Sequence, residues 1–160
     1  MDSIGDNAFI FYRKITHIVI QEGVTSIGVQ AFCHCDNLEN VIIPQSVNII
    51  ESSAFYQCKN LKSIIIPEGV TVIKNSTFTG CMNLESVVLP ESLTRIEMAG
   101  FSICSKLTSI IISKNVTTMA HSAITSCPNL TIYCRAENQP IGWNEHWNPQ
   151  NRPVVWSYTD

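Results

Sequence analysis

The chain repeats itself every 23 residues, and that period decides what it can fold into. Residues 31–44 read AFCHCDNLENVIIP, residues 54–67 read AFYQCKNLKSIIIP, and residues 77–90 read TFTGCMNLESVVLP. Aligned at this interval, an aromatic column runs through Phe9, Phe32, Phe55, Phe78 and Phe101, with Ile124 in the next place. A small residue stands before each of them, at Ala8, Ala31, Ala54, Thr77, Gly100 and Ala123. Leucine recurs at Leu38, Leu61, Leu84, Leu107 and Leu130, and cysteine at Cys35, Cys58, Cys81, Cys104 and Cys127. Branched pairs are held at Ile18/Ile20, Val41/Ile43, Ile64/Ile66, Val87/Leu89 and Ile110/Ile112. A further column, Val24, Val47, Val70, Leu93 and Val116, is followed three residues later by Ile27, Ile50, Ile73, Ile96 and Met119. Self-similarity at such a period is the mark of a solenoid, whose units cannot bury their apolar side alone and must stack.

The spacing inside one unit predicts its shape. In LKSIIIP, Ile64 and Ile66 share one side of an extended strand while Ser63 and Ile65 face the other. Pro67 ends that strand, since it has no N–H for a continuing ladder. EGVTVI turns and makes a second short strand with Val70 and Ile73 inward, and NSTFTGC suits a short helical turn that places Phe78 and Cys81 inside. Residues 1–134 are thus expected to hold about six turns, the first incomplete because Met1 falls in the column of Val24 and Val47. Ile4, Phe9 and Ile15 would then lie near an open strand edge, a place for self-association or for upstream repeats. At the other end Arg135 falls where a branched residue is expected, which would close the stack. Residues 135–160 are expected to cap it, with Trp143, Trp147 and Trp156 covering the open end; the alternative is that these tryptophans bind sugar.

Composition narrows the function. At 45% hydrophobic and 14% charged the chain is that of an ordered protein. Its net charge of −3, with no Lys/Arg cluster, argues against nucleic acid. No apolar run is long enough to cross a bilayer, and the first residues lack the pattern of a secretory signal. The cysteine column reads as small buried thiols rather than disulfides, because side chains in one ladder point parallel. Cys33 and Cys134 lie outside the column and are expected to be more accessible. The run Cys33-His34-Cys35 is too tightly spaced for a structural zinc site. No glycine-rich phosphate loop occurs, and neither a cofactor nor a catalytic set is expected. The sequons at Asn75, Asn115 and Asn129 read as turn chemistry. Thr25, Asn48, Thr71, Thr94 and Thr117 form an outward hydroxyl-rich column of structural character.

The informative surface is the outward column of the main strand: Val19, Ile42, Ile65, Val88 and Ile111. Beside it run His17, Asn40, Ser63, Ser86 and Ser109, small or polar and mostly uncharged. Strand propensity alone also favours valine and isoleucine in such places. A contiguous apolar stripe, however, is a usual mark of a contact site, so these residues with Ser63 and Ser86 are the candidate partner-binding set.

The pattern CxxLxxIxIPxxVxxIxxxAF resembles the BspA-type leucine-rich repeat family over residues 1 to about 134. The resemblance implies a right-handed curved solenoid with a parallel sheet on its concave face. It further implies a non-catalytic protein that binds other proteins, from the host or other copies of itself, often as an adhesin at the cell surface or in secreted form. The tail GWNEHWNPQNRPVVWSY is similar to the end segment of such proteins. A structural spacer without a partner, or a cytoplasmic product if translation starts at Met1, are the alternatives.

Overall fold

The computed structural model describes residues 2–160, so the reading of Met1 lies outside the described residues. The chain winds as a parallel-strand solenoid of about seven turns. On one side, His17–Val19, Asn40–Ile42, Ser63–Ile65 and Ser86–Val88 form a four-stranded parallel sheet. Ser109–Ile112, Thr131–Cys134 and Val154–Val155 continue it as a three-stranded sheet, with Ser109–Ile112 lying against Ser86–Val88. A second side carries strands of two to four residues, among them Val24–Ile27, Ile49–Ile50, Val72–Ile73, Arg95–Ile96 and Thr118–Met119. Parallel pairing follows from the coil: each strand is met again one full turn later, running the same way.

The third side corrects the expected helical turn. Among the described residues there is no helix. Phe32 donates its N–H to Ala54 in the next turn at 2.8 Å, Phe55 to Thr77 at 3.1 Å and Phe78 to Gly100 at 3.0 Å. The N–H groups between them bond three residues back, Cys33 to Gln30 and Cys35 to Phe32, both at 3.1 Å. An α-helix needs every N–H for its own i−4 carbonyl; here alternate ones join the turns to each other. Two residues per turn take left-handed backbone, as Gln30 (φ 55°) and His34 (φ 57°), Ser53 (56°) and Gln57 (58°), and Ser76 (55°) and Gly80 (78°). Such a conformation costs a non-glycine residue on the order of 1 kcal/mol, and the bonds between turns hold it in place.

The core is a set of rows along the axis. Phe9, Phe32, Phe55, Phe78 and Phe101 stack with centroids 5.2, 5.3, 5.6 and 5.3 Å apart and planes within 13°. Phe32 to Phe101 are fully buried, with the leucine row beside them. The cysteine row is also buried, and all seven cysteines are free thiols. Each column thiol donates to the carbonyl of the aromatic residue 26 positions earlier, from Cys35 to Phe9 at 3.1 Å to Cys127 to Phe101 at 3.8 Å. The expectation for Cys33 and Cys134 is overturned: they are 2% and 0% exposed.

The last windings differ from a strict 23-residue step. Ile110 pairs with Ile132 and Ile112 with Cys134, a step of 22. One residue is missing between Leu130 and the strand, so Cys134, and not Arg135, takes the inward place of Ile112. Arg135 lies beyond the strand and pairs with Asp160 at 2.6 Å. The tail then winds on. Trp147 accepts the Ile124 N–H at 3.1 Å, as Ala123 accepts that of Phe101 at 3.0 Å, so a further winding stacks on the last repeat and the count of turns exceeds the expected six. Trp143 and Trp147 are 5% and 4% exposed, and Trp156 packs half-buried against the core.

Candidate functional site

The outward face of the main sheet follows from strand alternation. Ile64 and Ile66 point inward and are each 2% exposed, so Ile65 between them points out at 63%. The other expected members lie in the same row: Val19 58%, Ile42 61%, Val88 55% and Ile111 38% exposed. Val19 is paired with Ile42 and Ile65 with Val88 across the ladder, and Ser63 pairs with Ser86 alongside. Ser63 and Ser86 are exposed, as are His17 and Ser109, whereas Asn40 is half-buried.

The stripe is longer than the sequence suggests. Tyr133 stands in register with Ile111, and Val155 with Tyr133, adding two residues that a 23-residue alignment misses because both steps are 22. The inward Ile132 and Cys134 flanking Tyr133 were the signal that would have found it. Tyr158 leans on Tyr133, with ring centroids 4.8 Å apart.

The face has relief as well as polarity. Between Asn40–Ile42 and Ser63–Ile65 the ladder registers only Asn40 against Ser63. A depression of about 480 Å³ opens there, lined by Ile42, Ile65, Asn40, Ser63 and Gln45 among others. A second, of about 140 Å³, lies where the two sheets adjoin, lined by Val88, Ile111, Glu91, Ser113 and Arg135 among others.

Charges sit on the two margins. At the start of the strands, Lys62 pairs with Glu39 at 2.6 Å and Lys106 with Glu85 at 3.8 Å. The Lys62 ammonium holds the Glu39 carboxyl below its ordinary value, by hydrogen bond first and charge second. Past the strand ends, Glu22, Glu68 and Glu91 are exposed, and Glu91 reaches Arg135 at 3.7 Å.

The other candidates are placed elsewhere. Burial pushes the thiols of Cys81 and Cys134 up to about 12 and that of Cys35 up to about 11, which keeps them as neutral packing groups. His34 stacks on Phe11 at 4.8 Å. Among the described residues no three His, Cys, Asp or Glu side chains converge to hold a metal. Among them, too, no helix is long and apolar enough to cross a membrane. Trp143 donates its indole N–H to Val116 at 2.9 Å and Trp147 to Gln139 at 3.1 Å, and both rings are buried, whereas Trp156 is half-buried and lines a polar depression with Trp147.

Parallel strands at each turn, an inward leucine row and an open sheet face define a leucine-rich repeat solenoid. The chain belongs to the BspA-type leucine-rich repeat family, whose model matches six copies over residues 2–131. It is similar to a leucine-rich cell surface protein of Faecalibacterium prausnitzii A2-165, with 36% identity and a TM-score of 0.80 over 91% of this chain. It is also similar to the leucine-rich repeat protein of T. pallidum, with 28% identity and a TM-score of 0.79 over 82% of this chain. A leucine-rich repeat protein of Bacteroides ovatus ATCC 8483 matches at 32% identity and a TM-score of 0.61 over 88%. The chain spans 39%, 62% and 45% of these three, respectively. A search of curated proteins found no match.

Proposed function

We propose that this chain is a non-catalytic, adhesion-type binding module of a cell-surface or secreted protein, and that it docks a protein partner through the outward sheet face. The observation that carries this reading is the row of exposed branched side chains at Val19, Ile42, Ile65, Val88 and Ile111. Water against such a stripe is displaced at roughly 25 cal/mol per Å² of apolar area covered, and Ser63 and Ser86 beside it are short enough to let a partner approach. Residues 135–160 serve as the closing segment, a role supported by the packing of Trp143 and Trp147 on the core. The surface setting rests on the family and on the cell surface protein from Faecalibacterium prausnitzii.

The test is a binding screen of the full chain against purified secreted and surface proteins, repeated with Ile65→Lys/Val88→Lys. Binding that the double variant loses while its circular dichroism stays unchanged supports the face. Binding that survives both lysines places the contact elsewhere.

A further inference from the structure

The two depressions on the sheet face lie at the second and fourth intervals between successive main-sheet strands. Laddered strands are about 4.8 Å apart and the turns repeat at 5.3–5.6 Å along the phenylalanine row, so the sockets are separated along the solenoid axis by about 10–11 Å. Between them the Ser63–Ile65 and Ser86–Val88 strands are fully laddered through three pairs. The partner must therefore offer two large side chains about 10 Å apart on one side, with something small between.

Secondary structure answers that spacing selectively. In an α-helix, residues i and i+7 lie two turns apart, about 10.5 Å along one face. An extended strand puts same-side residues about 6.7 Å or 13 Å apart, and its 10 Å neighbour points away. Charge adds a direction. Glu39 and Glu85 on one margin have Lys62 and Lys106, and on the other Glu91 has Arg135, with Lys114 one turn further on, which leaves exposed Glu22 and Glu68 as the acidic part of that margin. We propose that the occupant of this face is an amphipathic α-helix lying along the solenoid axis, with large apolar residues at i and i+7 in the two sockets. A small residue at i+3 or i+4 crosses Ile65 and Val88, and Lys or Arg on one flank faces the glutamate margin. This rests on the reading of the face as a protein-binding site.

The probe is a synthetic 18-residue helical peptide with Leu at i and i+7, Ala between them and Lys on one flank, dye-labelled for anisotropy against the full chain. Three control peptides carry a central proline, Leu at i and i+5, or Glu on the flank. The expected result is saturable binding to the wild-type chain, weakened at least tenfold by each control and by Ile42→Lys. Ile42→Ala serves as a second variant if the lysine one misfolds, with a smaller loss expected. Equal binding of the proline peptide makes the occupant an extended chain and overturns the helix while leaving the face intact. Binding of none of the peptides, or binding insensitive to Ile42, overturns the proposal. Sedimentation showing a dimer that Ile65→Lys/Val88→Lys dissolves assigns the face to a second copy, and overturns it as well. The protein screen judges the face itself, whichever way the peptides fall.

Discussion

The Cys58 thiol donates to the backbone carbonyl of Phe32, 3.1 Å away across the interval between two turns. That carbonyl also accepts the N–H of Cys35 within its own turn at 3.1 Å. One oxygen thereby closes a turn and ties it to the next, and a small apolar-surfaced donor is what fits there. Cys58→Ala removes the thiol bond and leaves a small void, so a loss of about 1–2 kcal/mol is expected in urea denaturation.

The phenylalanine row makes position matter. Phe78 is fully buried and stacks on both Phe55 and Phe101, whereas Phe9 is half-buried and its row neighbour is Phe32 alone. Phe78→Ala is expected to cost about 3–5 kcal/mol, and Phe9→Ala less than half as much. Equal losses in the same denaturation series would contradict the stacked row.

Stability should fall at alkaline pH. Burial raises the folded thiol of Cys81 from its ordinary 9.0 to about 12 and that of Cys134 likewise. Between these values the unfolded chain has released protons that the folded chain keeps, so the unfolding free energy falls as pH rises. The contribution is whole below pH 9 and is progressively lost toward pH 12. Urea midpoints measured across that window should drop, and a variant with Cys81→Ala and Cys134→Ala should drop less steeply.

The same burial sets thiol reactivity. Native protein at pH 8 should react slowly with a thiol-specific dye at all seven cysteines, which are free and buried, and should react fully once unfolded. Rapid labelling of Cys33 or Cys134 in the native state would show those two to be open after all.

Lysine on the sheet face should leave the fold alone. Ile65 and Val88 are 63% and 55% exposed, so Ile65→Lys/Val88→Lys gives up little buried area. A stability change within about 1 kcal/mol is expected from lost strand propensity. A loss as large as that of Phe78→Ala would mean that these side chains are part of the core.

Much of the molecule could be read before any coordinates. The period, the inward rows and the outward stripe from Val19 to Ile111 follow from spacing alone, because a strand alternates its faces whatever surrounds it. The aromatic segment could not be read this way. A stretch such as NSTFTGC has the length and small polar residues of a tight turn, and the bonds that decide its shape come from the turns beside it in space, which a local pattern does not contain. Cys33 was misjudged for a related reason: it lies outside the repeating column, yet the turn geometry buries it beside Asp36.

The sequence by itself determined the coil, since units that cannot bury their apolar side alone have no stable arrangement except stacked on one another. Tertiary structure decided where the coil changes step. Dropping one residue after Leu130 keeps Ile132 and Cys134 inward, and it brings Tyr133 and Val155 onto the stripe. It also decided that Trp143 and Trp147 would be buried against the core beside the last turns. Register at those positions is set by which side chain fills the space above the last turn, and that space exists only once the earlier turns are in place.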